Sequence, residues 1–435
     1  MRWIDARTED PFAALAQRTA ETDQTTRAIV AEILEDVRRR GDEALLDSAR
    51  QFDAPGLESI WVSEEEIESA TLPEEEMRAL RTAAERVLAF HWMQMRKLTA
   101  GWEGPDFWST GGGEFGGSGL GQRLLPVDAA GIYVPGGRAA YPSSVLMNVL
   151  PAVAAGVRRI VVATPARPDG TLAPAVLAAL RLCGVREAVK VGGAAAIGAL
   201  ALGTGTLRRV DVIAGPGNRF VNEAKRQLWG TVGLDGFAGP SEVCVLTDSG
   251  TNPRFAAADL LTQIEHAPDN VGFLVGTDES RLRETLLEAE DQAEGAERRE
   301  TLLQALRNGA AFLARDETQA AEIVNAIAPE HLSVATSDPE RWLGRIRNAG
   351  CILLGEWSPE SAGDFVAGPS HTLPTAGAAR FQSPVSALSF LRLQSVIRLN
   401  RRELEELTPF IGAFGRMEGF PTHARGATIR FEEEA

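Results

Sequence analysis

The hydrophobic pattern changes character along the chain, from helical spacing near the start to alternating strands and helices further on. Apolar residues at Ile29, Ile33, Leu34 and Val37 recur at three- and four-residue steps, which predicts an amphipathic helix. A longer helix is expected after Pro73, because three glutamates follow the proline as the positive end of a helix dipole favours.

From Val127 to about Gly239 short apolar stretches such as RRIVVATP and RVDVIAGPGN alternate with helical stretches. A second alternating series runs from SEVCVLTD to GCILLGE. This alternation is typical of βαβ units on a parallel sheet. The tail from Asn400 is expected to be mostly helical, with a last short strand near ATIRF. The pattern predicts an α/β protein with two Rossmann-like parallel-sheet domains between a helical N-terminal arm and a helical C-terminal tail.

Composition narrows the classes of partner. The chain has 435 residues, 44% hydrophobic residues and a formal charge of -16. Such acidity argues against nucleic acid or an anionic membrane surface, since both require basic patches, and it also serves plain solubility. The three cysteines lack metal-ligand spacing, the charged start MRWIDARTED is unlike a secretory signal, and no apolar run approaches the roughly 20 residues of a membrane span. A cytoplasmic protein is expected.

Two glycine-rich turns lie at the predicted ends of strands. They are YVPGG, residues Tyr133 to Gly137, and AGPGN, residues Ala214 to Asn218. Such turns let backbone N–H groups approach a phosphate, although each alone is equally well a tight turn and neither is a G-x-G-x-x-G sequence. Their occurrence on one predicted sheet favours a bound nucleotide.

Four of the five histidines lie in the last two fifths of the chain, each near a carboxylate or amide. The exception, His91, lies outside these groups and is interpreted as a residue that packs a helix. A lone histidine is usually structural, but the set supplies the nitrogen and oxygen ligands that zinc takes in a catalytic site. The adjacent Glu330 and His331 offer acid–base chemistry near neutral pH, or are a coincidence of sequence. The groups are Gln263 with His266, Glu330 with His331, Asp364 with His371, and Glu418 with His423.

Read in order, these stretches resemble the histidinol dehydrogenases, zinc- and NAD-dependent enzymes that complete histidine biosynthesis. The resemblance runs from about residue 120 to the C-terminus. It is carried by GIYVPGGRAAYPSSVLMNVLPAVAAGV, VDVIAGPGNRFVNEAKRQLWGTVGLDGFAGPSEV, DLLTQIEH, APEHL, GDFVAGPSHTLPTAGAAR and EGFPTHA.

The resemblance implies a role for each candidate residue. The implied zinc ligands, one zinc per subunit, are Gln263, His266, Asp364 and His423. The implied catalytic pair is Glu330 and His331. The implied substrate-binding residues are Ser241, Gln263, His266, His331, Asp364, His371, Glu418 and His423, and the implied NAD-binding positions are Tyr133, Ala195 and Asn218.

The resemblance also implies a reaction and an assembly. L-Histidinol would be oxidised through L-histidinal to L-histidine with two NAD, His331 acting as general base and Glu330 activating water. The family forms homodimers in which the C-terminal tail contributes to the partner's site. The expected domains are an N-terminal arm (1–24), a zinc and catalytic domain (25–126 plus 241–385), an NAD-binding domain (127–240) and a dimerisation tail (386–435).

Three positions depart from the family pattern. Ala195 stands where a glutamine usually contacts the cofactor, Ser370 replaces an asparagine, and SFLRL lacks an acidic and a basic residue. A lost amide contact would weaken NAD binding by about 1 kcal/mol. Two alternatives stay open: a related dehydrogenase acting on another small alcohol such as sulfopropanediol, and a non-catalytic zinc-binding homologue.

Overall fold

The structure is a computed structural model that describes residues 1–13, 15, 23–102, 107–109, 119–136, 140–237 and 239–432. Part of the expected N-terminal arm and Gly137 of the YVPGG turn lie outside these residues.

The strands and helices alternate through most of the chain. The strands are β1 (Arg2–Asp5), β2 (Phe107–Ser109), β3 (Gly119–Pro126), β4 (Ala129–Tyr133), β5 (Arg159–Ala163), β6 (Glu187–Val189), β7 (Val212–Ala214), β8 (Gly233–Leu234), β9 (Glu242–Thr247), β10 (Val271–Gly276), β11 (Ala310–Leu313), β12 (His331–Ala335), β13 (Cys351–Leu354) and β14 (Leu391–Arg398). The helices are α1 (Gln24–Arg40), α2 (Asp42–Phe52), α3 (Glu64–Glu68), α4 (Glu74–Leu98), α5 (Pro142–Ala155), α6 (Pro174–Leu182), α7 (Gly193–Leu202), α8 (Arg219–Leu228), α9 (Pro253–Ile264), α10 (Glu279–Glu294), α11 (Arg299–Asn308), α12 (Glu317–Ile327), α13 (Glu360–Phe365), α14 (Arg401–Met417) and α15 (Pro421–Thr428).

The chain forms two compact units. The first comprises Met1–Gln94 and Val127–Phe390 and contains two parallel sheets. The second comprises the described residues of Met95–Pro126 and Leu391–Ala435. The two parallel sheets confirm the predicted α/β class with Rossmann-like domains.

The six-stranded sheet of the first unit has the order β1-β11-β10-β9-β12-β13, and every pair is parallel. Its central strands are buried on both faces, which explains why they appear in the sequence as continuous apolar runs. His331, the first residue of β12, pairs with Val243 on one side and Cys351 on the other. The second predicted series is therefore confirmed. The N-terminal arm was expected to be helical, and this is wrong for its described residues: it begins with β1, a strand of four residues at the edge of this sheet.

The five-stranded sheet has the order β6-β5-β4-β7-β8, again with parallel pairs throughout. The first predicted series is thus confirmed as well. Helix α1 packs on this sheet's helices through Val30, Leu34 and Val37, which share one core with Ile197 of α7 and Val221 of α8. The domain boundaries drawn from the sequence stay a prediction. They group α1 with the six-stranded sheet, whereas α1 packs on the helices of the five-stranded sheet.

The second unit is an antiparallel sheet, β14-β3-β2, with the helices α14 and α15. Strands β3 and β14 pair over their full lengths although they are far apart in sequence, so neither carries a local pairing signal. The helical tail from Asn400 is confirmed, since Asn400 caps α14 in a capping box with Glu403. The strand expected at ATIRF is wrong. With Pro421 in its first turn, α15 runs to Thr428 and passes into a 3-10 turn at Ile429–Phe431.

Two smaller expectations can be checked directly. His91 is fully buried in α4 and meets Phe90 edge to face, which confirms that it packs a helix. The cysteines Cys183, Cys244 and Cys351 are free thiols. In the ranges that the structure describes, no helix has the length and apolarity to cross a membrane.

The AGPGN turn is held by a buried ion pair. Lys225 Nζ lies 2.7 Å from Asp235 Oδ1 and donates to the carbonyl of Gly215 at 2.7 Å, while the Gly215 amide donates to Asp235 Oδ2 at 2.8 Å. Gly215 has φ +124°, and a Cβ there would clash with the carbonyl oxygen of Tyr133. Only glycine allows β4 and β7 to approach so closely at their ends.

We expect Gly215→Ala to lower the free energy of unfolding by about 3 kcal/mol, because left-handed strain adds to a backbone clash. Urea unfolding followed by circular dichroism measures this. Gly56→Ala is the matched control, since a Cβ at Gly56 meets nothing within 4 Å. Equal stability of the two variants would contradict the tight approach of the strands.

Candidate active site

The candidate residues of the first unit meet at the amino edge of the six-stranded sheet. Glu330 and His331 open β12, Ser241 directly precedes β9, and Gln263 lies in the last turn of α9. In open α/β sheets ligands usually bind at the carboxyl edge. This group lies at the opposite edge, where helices end and strands begin.

Three buried side chains are in direct contact. Gln263 Nε2 donates to Asp364 Oδ2 at 2.5 Å, His331 Nε2 lies 3.3 Å from Asp364 Oδ1, and Gln263 Nε2 lies 3.5 Å from His331 Nε2. None of the three residues is more than 7% exposed. An amide, a carboxylate and an imidazole from α9, α13 and β12 thus converge on one point.

Glu330 lies beside this triad. Its Oε2 accepts the backbone N–H of Glu242 at 2.8 Å and lies 3.8 Å from His331 Nδ1. Burial raises the pKa of Glu330 to about 8, although the positive charge of His331 and the hydrogen bond from Glu242 oppose the rise. A carboxyl group that titrates near neutral pH is suited to exchange protons with a substrate or water.

The charge of His331 is set by its carboxylate neighbours. Burial alone would lower the pKa of His331, but the hydrogen bond with Asp364 and the negative charges of Glu330 and Glu360 together raise it to about 10. Conversely, the pKa of Asp364 is lowered by that same bond, against the effect of its own burial. These neighbours favour the protonated form of His331, with Asp364 as its counter-ion.

Backbone geometry aims Glu330 into the site. Helix α12 ends at Ile327, its C-cap residue Ala328 adopts a left-handed conformation with φ 48°, and Pro329 follows. A left-handed alanine is strained, as is common next to functional groups. The carbonyls of Pro329 and Glu330 then accept the amides of Gly350 and Cys351 at 2.9 Å each, which fixes the entry into β12.

Asn270 joins two further predicted residues. Its Oδ1 accepts the backbone N–H of Ser241 at 3.0 Å, and its Nδ2 donates to the carbonyl of Gln263 at 2.9 Å. The side chain therefore locks the start of β9 against the end of α9. Asn270 was not anticipated from the sequence.

His371 lies on a loop that contacts helix α5. Burial lowers the pKa of His371, and its Nε2 has no hydrogen-bond partner among the described residues. One residue on, Thr372 Oγ1 accepts from Asn148 of α5 at 3.0 Å. Ser370, which departs from the family pattern, turns its hydroxyl to the amide of Thr372 at 3.1 Å and so stabilises the loop itself.

The remaining predicted zinc and substrate residues, His266, Glu418 and His423, are exposed. His266 follows α9, and its positive charge would contribute to the lowered pKa of His371. Glu418 and His423 belong to the second unit, where His423 lies 5.3 Å from Phe420 between ring centroids. Within the described residues, no three His, Cys, Asp or Glu side chains form a preformed metal cluster.

Two acids beside the triad, the buried Glu360 and the partly buried Asp259, were not anticipated from the sequence. Glu360 is fully buried with no hydrogen-bond partner for either carboxylate oxygen among the described residues, and burial raises its pKa to about 8. Asp259 accepts the amide of Glu360 at 3.3 Å and the hydroxyl of Ser333 at 2.6 Å. Each acid precedes a candidate ligand, Asp364 or Gln263, by one helical turn. This four-residue spacing is visible in the sequence and could have identified both acids.

The predicted NAD-binding residues lie at the carboxyl edge of the five-stranded sheet. Tyr133 ends β4, and its hydroxyl accepts the amide of Gly193 at 3.2 Å. Asn218 caps α8 by accepting the amides of Phe220 and Val221 at 3.0 and 3.1 Å. Ala195 is 2% exposed within the core. Its methyl group offers a cofactor no polar contact.

The donor set of the first unit fits a zinc ion in its chemistry. Gln263 and Asp364 already meet, and exchange of the amide oxygen and nitrogen of Gln263 by rotation would present an oxygen ligand. His266 lies one helical turn beyond Gln263 and supplies a nitrogen. Carboxylate, amide oxygen and imidazole are ligands of zinc sites without thiolates.

Comparison with known proteins gives a consistent result. A family model described as histidinol dehydrogenase matches residues 16–431. The histidinol dehydrogenase of Gluconobacter oxydans is 43% identical over 429 residues, covering 98% of this chain and 97% of that protein. That of Geobacillus kaustophilus is 44% identical over 422 residues, covering 96% of this chain and 97% of that protein. A crystal structure of histidinol dehydrogenase from Elizabethkingia anophelis superimposes with a TM-score of 0.91 at 34% identity, covering 99% of this chain and 98% of that one.

Proposed function

This chain belongs to the histidinol dehydrogenase family of oxidoreductases, and from that premise we propose that it oxidises L-histidinol through L-histidinal to L-histidine with two NAD. The observation that carries the proposal is the buried contact of Gln263, His331 and Asp364 with Glu330 at its side. This contact brings together a base, a carboxyl group to activate water, and candidate zinc ligands that would hold the amino alcohol.

The proposed roles follow from these contacts. His331 accepts the hydroxyl proton of the alcohol while the carbon-bound hydride passes to the first NAD, which gives the aldehyde. Glu330, as a carboxylate, then takes a proton from water as the oxygen attacks the aldehyde carbon. The hydrate loses a second hydride to another NAD and leaves as the carboxylate. Both residues act by proton transfer near neutral pH.

Gln263, His266 and Asp364, with His423 from a second copy of the chain, would hold the zinc. Bound there, zinc would orient the amino alcohol and supply positive charge beside Asp364. His331 would then no longer be needed as the counter-ion of Asp364, and its imidazole could accept a proton from substrate. His371 and Ser241 adjoin the same space and are the proposed substrate contacts of this unit.

We further propose a homodimer whose sites are shared. On α14, Leu407, Phe410, Phe414 and Met417 follow helical spacing and are 41%, 64%, 60% and 70% exposed. A stripe of this size on one face of a helix is typical of a buried interface. A second copy of the chain is its proposed partner, and Glu418 and His423 would then serve the partner's site. The cytoplasmic location stays a prediction.

Phe410→Asp combined with Phe414→Asp is expected to convert the dimer into monomers, because two charges would have to be buried in an apolar interface. Light scattering after size-exclusion chromatography measures the mass. Glu405→Gln, on the opposite face of α14, should remain dimeric. A double variant that stays dimeric while remaining folded would contradict this interface.

The closest alternative is another small alcohol as substrate. Purified zinc-loaded protein should reduce NAD with L-histidinol and release L-histidine, identified by its mass. Turnover of a sulfonated diol without turnover of L-histidinol would replace the substrate assignment. Zinc binding with no NAD reduction by any of these alcohols would indicate a non-catalytic homologue.

A further inference from the structure

The imidazole of His371 depends on its backbone for its position. Its Nε2 is buried and has no hydrogen-bond partner in the described part of the chain, so no described side chain holds that end of the ring. The charges of Asp364 and His331 both act on the pKa of His371, which places the ring near the triad. A free ring nitrogen there is available to a substrate, and its direction is set by the loop that carries it.

Three hydrogen bonds fix this loop at Thr372, the residue after His371. The amide of Thr372 donates to Ser370 Oγ at 3.1 Å, and its carbonyl accepts the amide of Val385 at 2.9 Å. The third bond comes from a distant element, because Nδ2 of Asn148, on α5, donates to Thr372 Oγ1 at 3.0 Å. The loop is thereby joined to a helix 224 residues earlier in the chain.

The orientation of the Asn148 amide is fixed within α5. Its Nδ2 also donates to the carbonyl of Ser144, one turn back, at 2.8 Å. A backbone carbonyl can only accept, so the amide nitrogen faces it and the second N–H is directed at Thr372. Asn148 is 0% exposed, and residues 144–152 of the helix are all buried. The bond to the loop therefore starts from a rigid point.

Stability alone does not explain a buried amide at this position. Its Oδ1 is buried without a hydrogen-bond partner among the residues that the structure describes. The neighbours Met147 and Val149 are apolar and fully buried. An unpaired buried acceptor costs free energy that offsets much of what the two N–H bonds contribute, and an apolar side chain would avoid this cost. We therefore look for the role of the amide in what it holds.

Helix α5 belongs to the sheet on which the cofactor is proposed to bind. It is the first helix after β4, it packs against that strand and α6, and β4 ends in Tyr133, a proposed NAD contact. The loop of His371 instead follows α13, which carries the proposed zinc ligand Asp364. The bond from Asn148 to Thr372 thus joins the part that would hold the cofactor to the part that would hold the substrate.

We propose that Asn148 is a positioning residue: through Thr372 it fixes His371, and thereby the bound amino alcohol, at the distance from the cofactor that hydride transfer requires. This inference rests on the proposed function. Reacting atoms have to lie about 3–3.5 Å apart, and a displacement of about 1 Å can lower the rate about 100-fold. Neither Asn148 nor Thr372 touches the reacting atoms, so both act through His371.

Thr372→Val tests the inference, because valine keeps the shape of threonine and lacks the hydroxyl that Asn148 binds. The measurement is the first NADH formed in a single turnover, with zinc-loaded full-length protein and NAD in saturating excess over L-histidinol. We expect the rate constant to fall about 10- to 100-fold, with the Kd of NAD unchanged. Because the protein is in excess, a loss of folded molecules would not change this rate constant.

Two further variants address the same bond. Thr372→Ser keeps the hydroxyl and should restore most of the wild-type rate constant. Asn148→Ala removes the other partner and should lower the rate constant as much as Thr372→Val does. Thr285→Val is the matched control, because it removes a buried threonine hydroxyl that donates within α10. It should react at the wild-type rate.

The inference also requires that Thr372 act through His371. In a His371→Ala protein, adding Thr372→Val should therefore lower the rate constant by no more than about twofold, since residues that act as a unit are not additive. Losses that multiply would overturn the inference. A folded Thr372→Val protein with the wild-type rate constant would overturn it as well, and so would equal losses in Thr372→Val and Thr372→Ser. A wild type that forms no NADH from L-histidinol would instead contradict the proposed function.

Discussion

Glu330→Gln is expected to oxidise L-histidinol only as far as the aldehyde, with formation of the carboxylate reduced about 10²- to 10⁴-fold. Glutamine retains an oxygen that can accept the amide of Glu242, so the local structure should persist. It cannot take the proton of the attacking water. Rapid-quench product analysis should show L-histidinal accumulating after one equivalent of NADH.

The pH dependence gives a second signature of Glu330. Since its pKa is raised to about 8, the carboxylate-forming step should accelerate as the pH rises toward 8, and the variant should lack this rise. Burial makes ionisation costly in the folded chain, so the wild-type carboxyl lowers stability as the pH rises through about 8, a cost that glutamine avoids. The variant should therefore melt no lower than the wild type at pH 8.

Glu322→Gln serves as the control, because this exposed glutamate lies on α12, the helix that leads into Glu330. It should form carboxylate at the wild-type rate. If Glu330→Gln did so too, water activation would have to be assigned to another group, for which the buried Glu360 is a candidate.

His266→Ala is expected to lose zinc and turnover together. A ligand contributes directly to metal affinity, so the loss should exceed the roughly 10- to 100-fold cost of disturbing an outer-shell partner. His266 is exposed, and its removal should leave the melting temperature of the metal-free protein unchanged. Zinc content after dialysis, read beside activity, measures the effect. Glu265→Gln, the exposed neighbour, should retain both.

The shared site makes a sharper version possible. Mixed dimers of His266→Ala and His423→Ala subunits would carry one site with both changes and one site with neither. Inactive homodimers mixed under exchange conditions should therefore regain activity. No recovery, in mixtures shown to contain the mixed dimer, would mean that His266 and His423 serve the same subunit's site.

The two parallel sheets were predictable because their strands are apolar runs between helices of regular spacing. β1 was missed since RWID is too short and too polar to be distinguished from an arm, and becomes a strand only beside β11. β3 and β14 form by pairing with each other although most of the chain separates them in sequence. No local pattern reveals such pairing. ATIRF has the composition of a strand, yet helical hydrogen bonds from α15 continue into it.

In the site, Gln263, His331, Asp364 and Glu330 were named from motifs, and the first unit brings them together. What the sequence could not supply is their environment. Burial and mutual charge, which set the pKa values of Glu330 and His331, follow from tertiary packing alone.

The most direct test of the account is the amount of NADH formed per molecule of L-histidinol by the zinc-loaded protein with excess NAD. Two NADH per substrate, with L-histidine as the product and loss of both on removal of zinc by a chelator, is the predicted result. One NADH per substrate, or none, would contradict the proposed two-step oxidation.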